Sequence, residues 1–331
     1  MNIIVIGGAG YIGSHVVHAM LESGHSVTVF DNLSSGVREN LVPHIPFIYG
    51  DILNYHVLVQ SFRSAPFDAV IHLAALKAAG ESMLQPEQYS VHNIGGSINI
   101  LNAMAETGIK NIVFSSSASV YGEPIYVPMD EQHPCKPESY YGWTKLTIEQ
   151  LMGWYEKLKG IRFAALRYFN AAGYDINGKV SGLEITPANL IPIIMEVAVG
   201  KRHEVCIFGD DYDTSDGTCI RDYVHVSDLA RGHSDALAYI HGHACSIVCN
   251  LGSEKGTSVK EIIETARTVT GQDIPAHVTV RRPGDPAILT ASAQKAHEIL
   301  NWSAVNSTIE RIIDSTWSVY KKNLWVCRKE V

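Results

Sequence analysis

Two patterns of hydrophobic residues, one typical of buried strands and one typical of helices, alternate along about the first 170 residues of the chain. Short apolar runs bounded by glycine, proline and polar residues predict strands at 3–6, 27–30, 46–49, 69–73, 111–115 and 162–167. Between these runs, apolar positions three and four residues apart predict helices at 12–23, 55–64, 89–106 and 141–159. Regular alternation of strand and helix predicts an α/β fold built on a doubly wound parallel sheet.

The regular alternation fades after Asn170. A loop-rich stretch with Gly173, Gly178, Gly182 and Pro187 follows, and the later elements are shorter. We therefore expect one domain over residues 1–170 and a smaller C-terminal α/β domain over 171–331, with some crossing of the chain between them. Ligands of open parallel sheets bind outside the carboxyl ends of the strands, so we expect the site in the cleft between the two domains.

A glycine-rich turn follows the first apolar run. Its sequence is Gly-Gly-Ala-Gly-Tyr-Ile-Gly, with the spaced glycines at Gly7, Gly10 and Gly13. Side chains at Gly7 and Gly10 would keep a pyrophosphate from the backbone N–H groups, whereas Gly13 lets the helix pack against the strand. The pattern indicates a Rossmann-like dinucleotide site, and the alternative is a tight turn without a ligand.

An acidic residue ends the second apolar run. Asp31 directly follows residues 26–30, where a carboxylate accepts hydrogen bonds from an adenosine ribose. The same carboxylate would repel a 2′-phosphate. The sequence therefore favours NAD over NADP.

Composition excludes several classes of protein. The 331 residues are 46% hydrophobic, which suffices for a large core, and the net charge of −8 is dispersed. No basic block suggests nucleic acid, and no apolar run approaches the roughly 20 residues that span a membrane. We expect neither partner. The N-terminal apolar segment is too short for a signal peptide, so we expect a cytoplasmic protein.

The six cysteines are scattered, which favours free thiols in a reducing compartment. His241, His243, Cys245 and Cys249 lie close in sequence, and the alternative for them is a metal site. Their spacing matches no common zinc pattern, and the apolar residues from 247 to 251 predict a strand. We expect no metal.

A second constellation of reactive side chains is Tyr141 with Lys145, preceded by three serines that include Ser115 and Ser117. On a helix, positions four apart share a face, so the phenol and the ammonium point the same way. A neighbouring cation favours phenolate, which predicts a lowered pKa for Tyr141 and a usable base near neutral pH. A serine hydroxyl at the strand end can donate to the same substrate oxygen.

These motifs together carry a resemblance. The chain resembles the extended short-chain dehydrogenase/reductase superfamily and, within it, the UDP-galactose 4-epimerase family. The resemblance runs nearly end to end and includes the three spaced glycines and the Tyr-x-x-x-Lys pair, and also the segments 76–82, 115–122, 167–170, 207–209, 216–218, 221–226 and 281–285.

The resemblance implies a reaction at C4 of a UDP-hexose. Tyr141 would remove the proton of the 4-hydroxyl, aided by Ser117, while a tightly held NAD takes hydrogen from C4 and returns it to the other face of the 4-keto sugar. Lys145 would also contact the nicotinamide ribose. The resemblance further implies a homodimer packed through the helices 89–106 and 141–159.

The resemblance also assigns binding residues. Cofactor-binding positions would be Gly7, Gly10, Tyr11, Ile12, Gly13, Asp31, Asn32, Asp51, Ile52, Leu73, Ala74, Ala75, Lys77, Asn93, Ser115, Tyr141, Lys145 and Tyr168. Substrate-binding positions would be Lys77, Ser117, Tyr141, Asn170, Asn189, Leu190, Ile207, Phe208, Arg221, Arg282, Asp285 and Leu289. Paired guanidinium donors suit a diphosphate, although an Arg–Asp surface pair is the alternative for Arg221 and Arg282. The family more often has asparagine where His92 stands, which leaves a contact there open.

Related enzymes share this scaffold, so the reaction needs its own argument. Dehydratases of the superfamily usually carry an Asp-Glu pair after the serine-rich strand, where this chain has Ala118 and Ser119. Neither side chain protonates a leaving hydroxyl, which disfavours dehydration. A net oxidoreductase and a non-catalytic NAD-binding regulator remain as alternatives.

Substrate breadth is expected to depend on Leu289. In the family, a tyrosine at the corresponding position tends to restrict the pocket, whereas a smaller residue leaves room for a 2-acetamido group. We therefore expect activity on UDP-GlcNAc and UDP-GalNAc besides UDP-glucose and UDP-galactose. The alternative is that Leu289 only packs a wall.

Overall fold

A seven-stranded parallel sheet forms the centre of the computed structural model, which describes residues 1–184, 187–282 and 284–327. The strands of the chain are β1 (Asn2–Ile6), β2 (Ser26–Asp31), β3 (Phe47–Tyr49), β4 (Ala69–His72), β5 (Asn111–Ser115), β6 (Arg162–Tyr168), β7 (Asn170–Ala172), β8 (Val205–Phe208), β9 (Ile220–His225), β10 (Ile247–Leu251), β11 (Gly256–Ser258), β12 (Ala276–Thr279) and β13 (Ile288–Leu289). The central sheet has the order β10-β6-β5-β4-β1-β2-β3. The predicted α/β fold with a doubly wound, Rossmann-like sheet is confirmed.

The helices are α1 (Tyr11–Glu22), α2 (Tyr55–Arg63), α3 (Ala79–Ser82), α4 (Pro86–Tyr89), α5 (Gly96–Thr107), α6 (Tyr140–Lys159), α7 (Leu190–Ala198), α8 (Val226–His243), α9 (Val259–Thr270), α10 (Gln294–Leu300) and α11 (Ile309–Cys327). Helices α1, α2 and α6 match their predicted positions closely. The helix predicted at 89–106 differs, because a π-helical turn at Ser90–Gly95 joins α4 to α5. The spacing of hydrophobic residues does not reveal a π-helical turn. Such turns are common at functional sites, and this one buries the side chain of Asn93.

Both faces of the central sheet are covered by helices. Along β1, Ile3 and Val5 belong to the core on the side of α1 and α8, whereas Ile4 and Ile6 belong to the core on the side of α2, α5 and α6. A parallel strand buried on both faces reads as a continuous apolar run, which is why the sequence reveals these strands.

The later part of the chain builds smaller sheets. Strands β7, β11 and β13 pair with β9, and β12 pairs with β8, around a third core that includes α7, α9 and α11. Strand β10 and helix α8 return to the central sheet, where β10 pairs with β6 and α8 packs on α1. The later part of the chain thus contributes one strand to the central sheet and one helix to its face.

The sheet order places the ligand crevice. The chain leaves β1 toward β2 on one side, and the later strand β4 lies on the other side of β1. Such a reversal opens a crevice at the carboxyl ends of the strands. The glycine turn follows β1 at this end, and the segment that begins with Leu73 follows β4.

None of the helices in the described ranges is long and apolar enough to cross a membrane.

Candidate active site

The glycine turn is shaped by close backbone contacts. Gly7 has φ +81°, and a Cβ there would lie 2.6 Å from the backbone nitrogen of Ala74. A Cβ on Gly13 would lie 2.0 Å from the carbonyl oxygen of Gly7, so only glycine lets α1 begin here. Gly10 is less confined, since its Cβ would meet its nearest atom at 3.3 Å. The first turn of α1, at Tyr11, Ile12 and Gly13, presents N–H groups without helical partners to the crevice.

Carboxylates follow β2 and β3. Buried Asp31 accepts hydrogen bonds from the backbone N–H groups of Ala9, at 2.9 Å, and Leu33, at 2.7 Å. It thereby ties the glycine turn to the end of β2. Asp51 accepts a hydrogen bond from the side chain of Asn32 at 2.9 Å, and buried Ile52 follows it. The four predicted nucleoside-binding residues are therefore brought together.

The segment after β4 carries further predicted cofactor contacts. Leu73 and Ala74 donate backbone hydrogen bonds to Ile6, and Ala75 and Lys77 follow. The side chain of Asn93 accepts from the N–H of Leu76 at 2.8 Å and donates to its carbonyl oxygen at 3.1 Å.

The polar atoms of Asn93 therefore hold this segment in place, and its amide also donates to the hydroxyl of Thr144 at 3.2 Å. Lys77 forms an exposed ion pair with Glu184, which lies across the crevice. His92 lies half-buried in the π-helical turn beside Asn93.

The serines and the Tyr-x-x-x-Lys pair meet at the carboxyl end of β5. Ser139 caps α6 by accepting a hydrogen bond from the N–H of Gly142 at 3.1 Å. A Cβ on Gly142 would lie 2.2 Å from the carbonyl oxygen of Ser119, so this glycine lets α6 approach the serine turn closely. The Tyr141 phenol consequently lies beside the side chain of Ser117.

Lys145 lies buried on the same helix face as Tyr141. Its Nζ donates to the carbonyl oxygen of Ser115 at 2.8 Å and lies 5.7 Å from the centre of the Tyr141 ring. It also lies 4.7 Å from the centre of the Phe114 ring. The predicted adjacency of phenol and ammonium is confirmed.

The electrostatics of this pair differ from the prediction. Burial raises the pKa of Tyr141, and the neighbouring Ser117 hydroxyl opposes this shift only in part. Burial also lowers the pKa of Lys145 to about 7, so the ammonium is a weaker partner than the sequence suggested. The expected lowering of the Tyr141 pKa by protein groups alone is wrong, because burial penalises both charges.

A buried chain of polar groups lies behind the site. Tyr168 at the end of β6 lies beside Ser115, whose hydroxyl lies 2.8 Å from Nε2 of His233. The other ring nitrogen of His233 lies 2.8 Å from the carbonyl oxygen of Leu229. Helix α8 thus fixes the orientation of Ser115.

The predicted nucleotide-binding residues gather around Arg282 and Asp285, which a backbone hydrogen bond joins. Arg221 on β9 pairs with Asp285 at 2.5 Å, and the Arg221 side chain is largely buried. The Arg282 guanidinium lies 3.8 Å from the centre of the Phe208 ring. Ile207 and Phe208 lie on β8 beside β12, and Ile207 is buried. The structure therefore places two cations, an aromatic face and one carboxylate together.

The remaining predicted substrate residues line the same side. Asn170 donates to the carbonyl oxygen of Asp222 at 2.9 Å, and Asn189 lies at the start of α7 before Leu190. Asn189 also lines a small cleft with Tyr11 and Glu184. Leu289 pairs with Arg221 in the sheet and packs against the buried cluster that contains Ala118 and Tyr121.

The residues around the glycine turn fit a dinucleotide. The turn leaves no room for a Cβ at Gly7 or Gly13, the first turn of α1 offers free N–H groups, and Asp31 ends the neighbouring strand. Within the described ranges, no cluster of three or more His, Cys, Asp or Glu residues could hold a metal ion. The strand expected between 247 and 251 is β10, which contains Cys249.

A protein-family model described as the NAD dependent epimerase/dehydratase family matches residues 3–252. The chain belongs to this family. A family relative, the UDP-glucose 4-epimerase of Lacticaseibacillus casei, is 46% identical over 323 residues, which cover 98% of each chain.

Solved structures of UDP-hexose 4-epimerases are similar to this chain in fold. The UDP-glucose 4-epimerase of Brucella ovis, in complex with NAD, superposes with a TM-score of 0.94 at 39% identity and covers 96% of this chain and 98% of its own. The UDP-Glc/GlcNAc 4-epimerase of Campylobacter jejuni has a TM-score of 0.86 at 36% identity, over 97% of this chain and 99% of its own.

Two buried charges of this family member escaped the sequence analysis. Glu149 and Arg167 form a bidentate ion pair beside Lys145, with nitrogen–oxygen distances of 3.0 and 2.6 Å. The spacing of Tyr141, Lys145 and Glu149 at successive steps of four could have pointed to Glu149. Arg167 begins the segment 167–170 that carries the resemblance, but no local pattern gave it a partner, because Glu149 lies on another element.

Proposed function

We propose that this chain is an NAD-dependent UDP-hexose 4-epimerase whose base is Tyr141. One observation carries this assignment of roles: Tyr141, Lys145 and Ser117 converge at the carboxyl end of β5, at the same edge of the sheet as the glycine turn and Asp31. A base that must act beside a dinucleotide ring needs this shared edge.

The proposed mechanism assigns each proton to a side chain. Tyr141 takes the proton of the sugar 4-hydroxyl and gives it back at the end of the cycle, and the hydroxyl of Ser117, which lies beside the phenol, would donate a hydrogen bond to the same sugar oxygen. Lys145 stabilises the phenolate by its charge. Bound NAD would accept hydride from C4 of the sugar and return it to the opposite face of the 4-keto sugar. Its positively charged ring would also favour the ionised form of Tyr141.

The cofactor is proposed to lie along the crevice. The turn from Gly7 to Gly13 would hold the pyrophosphate, Asp31 and Asn32 the adenosine ribose, and Asp51 with Ile52 the adenine. Residues 73–75, Asn93, Ser115 and Tyr168 would line the nicotinamide half, with Asn93 acting through the segment it holds. Lys77 would contact the cofactor phosphates.

The nucleotide half of the substrate is proposed to bind around Arg282 and Asp285. Arg221 and Arg282 would bind the diphosphate, and Asp285 the uridine ribose. The Phe208 ring would face the base, with Ile207 beneath it. The Arg221–Asp285 pair is partly enclosed rather than on the open surface, which supports the proposal over the alternative of a surface pair.

Substrate breadth is proposed to include 2-acetamido sugars. Leu289 is half-buried beside Arg221, and leucine occupies less space than tyrosine. The Campylobacter jejuni neighbour is a UDP-Glc/GlcNAc 4-epimerase, which supports the acceptance of both kinds of sugar by this fold. The packing of Leu289 against Ala118 and Tyr121 supports the alternative of a wall, so the variant Leu289→Tyr is the deciding one.

Assembly and location are also proposals. Trp143, Trp154 and Leu158 lie exposed on the face of α6 opposite Lys145. Val91, which precedes α5 in the sequence, is exposed as well. Such a face suits a second copy of the chain, so we propose a homodimer packed through α5 and α6. We propose that residues 1–170 bind NAD and 171–331 bind the UDP-sugar, and that the enzyme is cytoplasmic.

Product analysis tests the proposed function. Purified enzyme without added NAD is incubated separately with UDP-glucose, UDP-galactose, UDP-GlcNAc and UDP-GalNAc, and the C4 epimers are quantified. Interconversion within each pair, without net NADH, is the expected result. Stoichiometric NADH would favour a net oxidoreductase, and the absence of turnover in NAD-loaded protein would favour a regulator. In Leu289→Tyr, conversion of the acetamido pair should fall while that of the glucose pair persists.

A further inference from the structure

Helix α6 carries three reactive side chains on one buried face. Tyr141, Lys145 and Glu149 follow one another at intervals of four residues, so one lies above the next along the helix. Tyr141 is half-buried, whereas Lys145 and Glu149 are 3% and 6% exposed. The proposed base and its lysine therefore lie in line with a buried carboxylate that the proposed mechanism does not use.

The Glu149 carboxylate is fully engaged. Nε of Arg167 donates to Oε1 at 3.0 Å, Nη2 of Arg167 donates to Oε2 at 2.6 Å, and the hydroxyl of Ser116 donates to Oε1 at 2.5 Å. The Arg167 guanidinium lies 4.9 Å from the centre of the Tyr121 ring, and Tyr121 donates to Asn250 at 2.6 Å. The pair is rigid, because packing and hydrogen bonds fix both partners.

We propose that the buried Glu149–Arg167 pair sets the protonation states of Tyr141 and Lys145 and thereby the pH range in which the enzyme turns over. Glu149 and Arg167 are positioning residues, since they act through Lys145 and touch neither substrate nor cofactor. The proposal rests on the proposed roles of Tyr141 and Lys145.

The carboxylate opposes the effect of burial on Lys145. Burial lowers the pKa of Lys145, and the charge of Glu149 raises it again. Burial alone would also lower the pKa of Arg167, but its hydrogen bonds with Glu149 outweigh that effect and keep it charged. With Lys145 protonated, the three side chains carry two positive charges and one negative charge, and removal of either partner changes that sum.

The other titratable groups facing this cluster are uncharged near neutral pH. Burial lowers the pKa of His72, which faces Lys145, to about 3. Burial raises the pKa of Tyr168 and Tyr89, which face Tyr141, and the carboxylate of Glu81 lies behind Tyr89, with which it shares a hydrogen bond.

Arg167 likewise faces neutral groups. Burial raises the pKa of Tyr121 and Cys135 beside it, although the charge of Arg167 opposes the shift at both. Glu131 lies beyond Tyr121 and acts on that phenol. Glu149 and Arg167 are therefore the ionised pair beneath Lys145. Their charges determine the local charge around Lys145.

The proposal predicts shifts of opposite sign. Glu149→Gln removes a negative charge, which lowers the pKa of both Lys145 and Tyr141 and moves the whole pH profile of kcat toward acid. Arg167→Met removes a positive charge and moves the profile toward alkali. Each shift should be about one pH unit or more, as close charges in protein interiors produce. The double variant Glu149→Gln/Arg167→Met restores the charge sum, so its profile should return to the position of the wild type.

Two readouts test these shifts on NAD-loaded enzyme. The first is the pH profile of kcat with saturating UDP-galactose. The second is the ultraviolet titration of the Tyr141 phenolate, taken as the difference between each variant and the same variant carrying Tyr141→Phe. Glu149→Asp keeps the charge and serves as the matched control, with kcat reduced by imperfect geometry but an unshifted profile.

The outcomes separate charge from structure. Opposite shifts in the two single variants, with recovery in the double variant, are the expected result. Profiles that keep their position while kcat falls, or that move in the same direction, would overturn the proposal. The double variant and Glu149→Asp keep it testable where a single variant does not fold, because neither leaves a buried charge unpaired. Full turnover by Tyr141→Phe would instead refute the proposed base, while the phenolate titration would still report the effect of the pair.

Discussion

The ammonium of Lys145 donates a hydrogen bond to the backbone carbonyl oxygen of Ser115 over 2.8 Å. This bond joins α6 to the end of β5 and holds the lysine beneath the Tyr141 ring. A buried ammonium with few acceptors loses its proton readily, and burial does lower the pKa of Lys145 to about 7. The hydrogen bond therefore fixes the geometry of a group whose charge is finely balanced.

Lys145→Met should remove most of the activity. The variant keeps the length of the side chain but loses the charge that stabilises a phenolate at Tyr141, so we expect kcat to fall about 10²- to 10⁴-fold. Steady-state kinetics with UDP-galactose provides the measurement. Lys157→Met, at an exposed position on the same helix, is the control and should retain the rate of the wild type.

Arg221→Met should weaken substrate binding. Arg221 is predicted to bind the diphosphate through charge-assisted hydrogen bonds, so its loss should raise KM for UDP-galactose about 10- to 100-fold with a smaller change in kcat. Arg281→Met is the matched control, since that guanidinium lies over the Tyr212 ring and faces Asp211 instead. Equal effects in both variants would contradict the assignment of Arg221.

Substitutions in the glycine turn should separate an effect on folding from an effect on NAD binding. A Cβ on Gly13 would lie 2.0 Å from the Gly7 carbonyl oxygen, so Gly13→Ala should lower Tm and abolish retained NAD. Gly10→Ala meets its nearest atom at 3.3 Å, so it should keep Tm close to the wild type and lose NAD. Thermal melting and the NAD content of purified protein are the measurements. Gly242→Ala, with no atom within 4 Å, is the control.

Stability should fall as the pH falls below about 6.5. Burial lowers the pKa of His15, His225 and His233 to about 4 and that of His72 to about 3. The unfolded chain therefore takes up protons that the folded chain does not, which favours unfolding as acid is added. Each histidine should remove about 1.4 kcal/mol of the free energy of unfolding per pH unit between its unfolded and folded pKa.

Urea unfolding at several pH values between about 7 and 4 measures this slope. His233→Gln should make the slope shallower by the share of one histidine, whereas the exposed control His203→Gln should leave it unchanged. A free energy of unfolding that does not change over this range would contradict the buried, neutral state of these side chains.

Local signals made much of this molecule predictable. Continuous apolar runs revealed β1 and β4 because parallel strands are buried on both faces, and the glycine spacing revealed the turn at Gly7 because no other residue fits there. The step of four residues placed Tyr141 and Lys145 on one helix face. Each of these inferences depends on neighbours in sequence.

Tertiary contacts account for what the sequence did not reveal. Arg167 pairs with Glu149 from a different element, and Arg221 meets Asp285 across 64 positions of the chain. The pKa direction of Tyr141 was wrong because burial depends on what packs around α6. The domain boundary, the residue roles and the homodimer remain predictions.

Tyr141→Phe tests the central claim most directly. NAD-loaded variant and wild-type enzyme are compared in the conversion of UDP-galactose to UDP-glucose, with retained NAD measured as evidence of an intact fold. We predict a fall in kcat of about 10²-fold or more with NAD retained, because phenylalanine keeps the ring but has no hydroxyl to exchange a proton. Turnover at the rate of the wild type would contradict the account.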